Sequence, residues 1–167
     1  MYMFYWRYKP MPDMLVKLYN LPDSKPFYDK MAAQNVRIIR PMTPNRDKVL
    51  GWIEQHFGIG WSNEIAAAFT KSPVSCFIAY DTEKKEILGF AGYDCTAPDF
   101  FGPTGVSEAA RKRGIGGTPL IACLEALKQE GYGYAVIGSA GPVEYYKKVC
   151  GATVIEDSVP GIYIDLI

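Results

Sequence analysis

The chain has 167 residues, 49% of them hydrophobic and 22% charged, a balance that suits one core-forming domain and excludes a disordered chain. Eighteen Lys and Arg offset 18 Asp and Glu, for a formal net charge of +0. That balance excludes a broad nucleic-acid surface, which needs surplus basic charge to displace counterions. No apolar run approaches the ~20 residues that span a bilayer, so no membrane partner is expected. Cys76, Cys95, Cys123 and Cys150 stand far apart beside one histidine, His56. Without close-spaced thiolate or imidazole pairs no metal site is expected. A reduced, cytoplasmic protein is the expectation, with the cysteines as small core residues.

Residues 1–34 differ from the rest. They hold prolines at 10, 12, 22 and 26, five aromatics in the first eight positions and one strand-like run, Leu15–Tyr19. The segment reads as an N-terminal extension ahead of a domain at 35–167. It either packs on a neighbour, where it can add an extra strand, or on a partner subunit, as in a homodimer, or is a partly disordered tail.

From Val36 the signals are regular. Val36–Arg40 is a short β-branched strand stopped by Pro41. Thr43 and Pro44 start a helix whose apolar face is Val49, Leu50, Ile53 and Phe57, and Gly58 ends it. A second helix is predicted over Ser62–Thr70. Val74–Tyr80 and Ile87–Tyr93 form an antiparallel hairpin about a charged turn, and Phe100–Val106 is a third strand. A long helical stripe follows, Leu120, Ile121, Leu124 and Leu127, ending at Gly131. Tyr134–Ile137 is a buried strand and Pro142–Val149 a short helix. Two last strands are predicted at Thr153–Ile155 and Ile162–Leu166.

The most informative stretch is Arg111-Lys-Arg-Gly-Ile-Gly-Gly117, between a strand and the long helix. Glycines let backbone N–H groups approach a ligand without a Cβ in the way. The first N–H groups of the helix have no intrahelical partners and carry the positive end of its dipole. Three basic residues against Glu108 leave this segment at +2 in a neutral chain. The combination suits a pyrophosphate. A P-loop is excluded because Thr118-Pro119 follows Gly117, and Pro119 also breaks the dinucleotide fingerprint. Pro119 fits only within the first helical turn, with Thr118 as the cap before it.

With Arg111-x-x-Gly114-x-Gly116 after a strand ending at Val106, the chain resembles the GNAT superfamily of acetyl-CoA-dependent N-acetyltransferases, whose signature is Q/R-x-x-G-x-G/A. Tyr132–Ser139 followed by Val143-Glu-Tyr-Tyr-Lys-Lys-Val-Cys-Gly-Ala152 resembles the family's second motif, a strand then A-x-x-F-Y-x-K-x-G-F. The element order from Val36 onward fits as well, over about four-fifths of the chain. One residue is inserted between the tyrosine pair and Gly151, so either tyrosine can occupy the family's position; Tyr146 is preferred. Ser107 stands where the family often has proline.

The resemblance implies an α/β fold: a mixed, mostly antiparallel central sheet with one splayed parallel pair and flanking helices. It implies acetyl-CoA as co-substrate, held by the backbone of Arg111, Lys112, Arg113, Gly114, Ile115, Gly116 and Gly117. Gly105 and Val106 would pair with the pantetheine arm as an added strand, with Ser139 opposite. Tyr146, a phenol with an unperturbed pKa of about 10, would donate a proton to the departing sulfur. For the general base, Asp94 and Asp99 are named ahead of Glu108 and His56. Trp61, Phe57, Tyr93 and Phe100 either line an acceptor pocket or pack as core. The implied activity is acetyl transfer to a primary amine of a small molecule, such as an amino sugar or polyamine. The competing expectation is a non-catalytic acyl-CoA-binding module of the same fold.

Overall fold

The computed structural model describes residues 11–167; the aromatic run at 1–9 lies outside them. The strands are β1 (Met14–Lys17), β2 (Val36–Ile39), β3 (Cys76–Asp81), β4 (Glu86–Tyr93), β5 (Phe100–Val106), β6 (Tyr134–Ile137) and β7 (Thr153–Val154). The helices are α1 (Lys25–Ala32), α2 (Arg46–Phe57), α3 (Ile59–Ala68), α4 (Gly117–Gln129) and α5 (Val143–Cys150). The strands form one sheet in the order β2-β3-β4-β5-β6-β1-β7. Every pairing is antiparallel except β5 with β6. This is the expected mixed sheet with one parallel pair.

Each face of the sheet buries its own apolar stripe. Val49 and Ile53 of α2 and Ile65 and Ala68 of α3 pack on Ile78, Ile87 and Phe90. On the other face Leu120, Ile121, Leu124 and Leu127 of α4 cover Met14, Val16, Tyr93, Phe101 and Ile137. The helical spacing of both stripes is what the sequence displays, and burying each such side chain contributes about 1.5–3 kcal/mol.

The parallel pairing is short: Phe100 faces Val136 and Phe101 faces Ile137, and no further pair forms. Beyond them the strands part. On its other edge β5 pairs Phe101 with Tyr93 and Thr104 with Ala91, so Gly102 and Pro103 together stand opposite Gly92. This is a β-bulge, and Gly102 takes φ 119° there, a conformation that suits a residue without Cβ. The continuation of β6 is held on its far edge. Ala140 N–H donates to the Pro12 carbonyl (2.8 Å), and Ser139 N–H to the Asp13 carboxylate (2.8 Å). Bulge and tether together keep a V open between 102–106 and 138–141.

Three expectations change. Residues 14–32, read as part of an extension, supply β1 inside the sheet between β6 and β7, and α1, whose Met31 joins a core with Val36, Leu88 and Ile115. The last predicted strand, Ile162–Leu166, is instead a 3-10 turn over Gly161–Asp165. The place beside β6 is taken by β1. Ile162, Ile164 and Leu166 are exposed and Tyr163 turns inward. The second helix begins earlier than predicted, at Ile59, directly after Gly58.

Candidate active site

The loop from Arg111 to Gly116 joins a 3-10 turn at Glu108–Ala110 to the N-terminus of α4. Ile115 anchors it in the core. Among the described residues, no backbone N–H between Lys112 and Thr118 makes a hydrogen bond of ordinary geometry to a backbone carbonyl, and Leu120 N–H is the first to bond, to Gly116 (3.4 Å). Pro119 has no N–H to satisfy, which explains its tolerance in the first turn. Thr118 does not cap the helix: its hydroxyl donates to the Phe27 carbonyl (3.2 Å).

Side chains other than glycine would fill this cradle. A Cβ on Gly114, which has φ 75°, would lie 2.5 Å from Lys30 Nζ. One on Gly116 would lie 3.3 Å from Val106, and one on Gly117 3.2 Å from the Phe27 ring. Helix α1 thus adds a fourth cation, Lys30, to the three in the loop. It is also tied to the loop by Gln34, whose Oε1 accepts from Arg113 Nε (3.1 Å) and whose Nε2 donates to the Arg113 carbonyl (3.2 Å). Two hollows of about 300 Å³ flank Gly114, one along Val106, Arg111, Lys112 and Gly116, the other along Phe27, Lys30, Thr118 and Val149. Free amides, a helix N-terminus and four basic side chains fit a diphosphate.

Tyr145 and Tyr146 divide the space above the loop. The Tyr145 hydroxyl lies 3.6 Å from where a Gly116 Cβ would stand and borders both hollows. Tyr146 is buried, its ring centroid 6.2 Å from that of Phe101, the last residue of β5 paired with β6. Burial, followed by the neighbouring Tyr145, pushes the Tyr146 phenol well above its ordinary pKa, so it stays protonated at neutral pH.

The other face of the V is aromatic. The Phe57 ring stacks on Trp61 (centroids 5.3 Å) and tilts on Phe90 (5.5 Å). A Cβ on Gly105 would lie 2.6 Å from Phe57, so glycine there lets the ring rest on β5. At the apex a Cβ on Gly138 would meet Tyr163 Oη at 2.7 Å and Phe100 at 3.0 Å. Of the four expected pocket aromatics, Phe57, Trp61 and Phe100 share this face. Tyr93 belongs to the α4 face, stacked on Phe77 and accepting from Arg40 (2.7 Å).

The carboxylates named as bases, Asp94 and Asp99, lie in the turn that also carries Thr96. Asp94 Oδ1 accepts from Asp99 N–H (2.6 Å) in the turn before β5, at the closed end of the parallel pair. Burial, and then the Asp94 charge, raises Asp99 to about 6, and Glu130 at the far end of α4 shares the Asp94 environment. The structure does not bring these groups together with the glycine loop. Ser139 spends its N–H on Asp13. Glu108 is exposed on the 3-10 turn, and His56 is exposed and stacks on Trp52 (4.3 Å).

Sequence reasoning missed Lys30, Gln34 and Glu64. The first two lie on or just after a helix signalled only by Ser24 and Pro26 at its start. Glu64 is the single charged residue of α3. Its Oε1 accepts from Thr96 (2.7 Å), and Tyr163 is hydrogen-bonded to the same threonine.

Among known proteins, no family model and no curated protein matches the sequence. Solved structures do match in shape. A GCN5-related glucosamine N-acetyltransferase region of a fungal multi-domain GH3 β-N-acetylglucosaminidase superposes with TM-score 0.73 at 13% identity, over 92% of this chain and 21% of that one. A GCN5-related N-acetyltransferase from Sphaerobacter thermophilus gives 0.60 at 15% identity, over 92% of this chain and 52% of the other. A tandem GNAT protein from the clavulanic acid biosynthesis pathway gives 0.53 at 11%, over 86% and 49%. The chain spans about half or less of the length of these proteins. The fold is that of the GNAT superfamily.

Proposed function

We propose that the protein transfers the acetyl group of acetyl-CoA to a primary amine of a small molecule. The observation that carries this reading is the run of amides from Lys112 to Thr118, none of which makes a backbone hydrogen bond of ordinary geometry among the described residues, set at a helix N-terminus beside an opened pair of strands. Acetyl-CoA supplies an activated acyl group. The chain's own residues hold and orient it: the loop amides with Arg111, Lys112, Arg113 and Lys30 take the diphosphate, and the free edge of Gly105 and Val106 aligns the pantetheine arm. Tyr146, protonated near the apex, offers its phenolic proton to sulfur. Phe57 and Trp61 exclude water from the acceptor side. The chain's zero net charge gives no general pull on charged peptides, which favours a small acceptor.

A second reading, an acyl-CoA-binding module without turnover, is favoured by the position of Asp94 and Asp99 at the closed end of the strand pair. A panel of primary amines with acetyl-CoA, read by mass spectrometry for acetylated product and by thiol release, separates the two. Transfer to at least one amine supports the enzyme. Tight acetyl-CoA binding with no product across the panel supports the module.

A further inference from the structure

Helix α3, which supplies Trp61 to the aromatic wall, also carries a carboxylate, Glu64, that has no ion-pair partner among the described residues. Glu64 lies one turn along α3 from Trp61 and is half-buried. Among the described residues it forms no salt bridge with Lys, Arg or His. Among the described residues its one hydrogen-bond donor is the Thr96 hydroxyl, at 2.7 Å. Thr96 in turn is hydrogen-bonded to Tyr163, and Tyr163 Oη stands 2.7 Å from where a Gly138 Cβ would be, at the first residue beyond the parallel pairing. Carboxylate, threonine and phenol therefore form a line from α3 to the apex of the V. A half-buried carboxylate with one neutral donor keeps most of its acceptor capacity unused. Such a group is costly without a counter-charge.

We propose that Glu64 receives the acceptor as a primary ammonium, against the aromatic wall of Phe57 and Trp61, and takes its proton. This assignment rests on the acetyl-transfer reading above. An ammonium suits both sides of the site, because the carboxylate neutralises it and the ring faces attract it. The balance is complete without another reactant. One ammonium proton passes to the Glu64 carboxylate and the neutral nitrogen attacks the acetyl carbon. The C–N bond forms as the C–S bond breaks, the departing sulfur takes the Tyr146 phenolic proton, and the nitrogen's surplus proton restores the phenol. The products are an acetamide and CoA thiol, and protonated Glu64 returns its proton to water. Burial raises Glu64 above the ordinary carboxylate range and the Thr96 bond opposes this, which brings its affinity for a proton closer to that of the amine. The titratable groups facing it are the Tyr163 phenol and the Cys95 thiol, both pushed up to about 12 mainly by burial and so neutral at pH 7, with Asp13 beyond Tyr163.

The test compares the native protein with Glu64→Gln, which keeps the Thr96 hydrogen bond, and with Glu64→Asp. Three readouts are taken: acetyl-CoA affinity by calorimetry, kcat/KM for the amine against pH, and binding of benzylammonium and glucosamine to the CoA complex by NMR titration. Glu64→Gln is expected to leave acetyl-CoA affinity within about twofold and to lower kcat/KM about 100-fold or more. It should also abolish the acid limb of the pH profile and weaken ammonium binding about tenfold, with partial recovery in Glu64→Asp. A Glu64→Gln variant with native kcat/KM and an unchanged acid limb overturns the assignment and leaves the acetyltransferase reading standing. If the native protein transfers no acetyl group yet binds the ammonium probes through Glu64, turnover is refuted and the ammonium site stands. Absence of both refutes both.

Discussion

Gly114 is the position where loop geometry and ligand binding are most directly coupled. It sits at φ 75°, where an L-residue costs about 1–2 kcal/mol relative to glycine. In Gly114→Ala that cost has two outlets. If the loop keeps its shape, the protein loses stability and melts about 2–8 °C lower, with acetyl-CoA affinity held. If the loop relaxes, the melting point recovers, and the ligand must restore the geometry at the same cost, raising Kd about 5–30-fold. The two losses should therefore sum to about 1–2 kcal/mol. The new methyl also displaces Lys30, whose Nζ lies 2.5 Å from the Cβ position. That ammonium ends a flexible chain and moves at little energetic cost, so Lys30→Ala measured alone gives the charge contribution to subtract. Differential scanning fluorimetry and calorimetry supply both quantities on the same sample. Native values in both for Gly114→Ala would refute the idea that the left-handed turn is what shapes the cradle.

The tyrosine pair separates binding from turnover: Tyr145→Phe should weaken acetyl-CoA several-fold, whereas Tyr146→Phe should lower kcat about tenfold or more with affinity kept; stopped-assay kinetics with calorimetry distinguish these, and unchanged kcat in Tyr146→Phe removes it from the chemistry. Gly138→Val, whose Cβ would meet Tyr163 and Phe100, should reduce kcat/KM for the amine about tenfold or more and leave acetyl-CoA affinity near native, and equal losses in both would place the obstruction in the wrong half of the site. Asp99, raised to about 6, binds its proton more tightly folded than unfolded, so its contribution to stability is present in acid and fades as pH climbs from about 4 toward 6. Thermal melts of Asp99→Asn should accordingly gain on the native protein above pH 6, and parallel melting curves from pH 4.5 to 7 would contradict that sign.

Local patterns made much of the fold legible. The helical stripes at 49–57 and 120–127, the hairpin about 81–86 and the glycine loop each carry their signal in consecutive residues. Long-range competition was not legible. Ile162–Leu166 has strand chemistry, yet β1, more than a hundred residues earlier, takes the place beside β6. Asp94 and Asp99 flank the start of a central strand in sequence, but only the register of β5 on β6 shows that they lie at its closed end. The bulge at Gly102 and Pro103 shifts the phase of β5, so that Phe100 and Gly105 both face α2 and α3, which alternation along an unbroken strand does not give. Lys30 reaches Gly114 from a helix that its prolines and aromatics disguised. Glu64 was hidden for the opposite reason: one acid on an otherwise uncharged helix reads as a solvated position until Thr96 and Tyr163 are seen beside it.

The central claim is that the amides opening α4 grip the diphosphate of CoA, and backbone NMR of the full chain titrated with CoA tests it most directly. The account predicts saturable shifts concentrated in the amides of Lys112 to Thr118, with Val106 and the Lys30 helix following. Saturation with those amides unmoved, or no response to CoA at millimolar concentration, would contradict it.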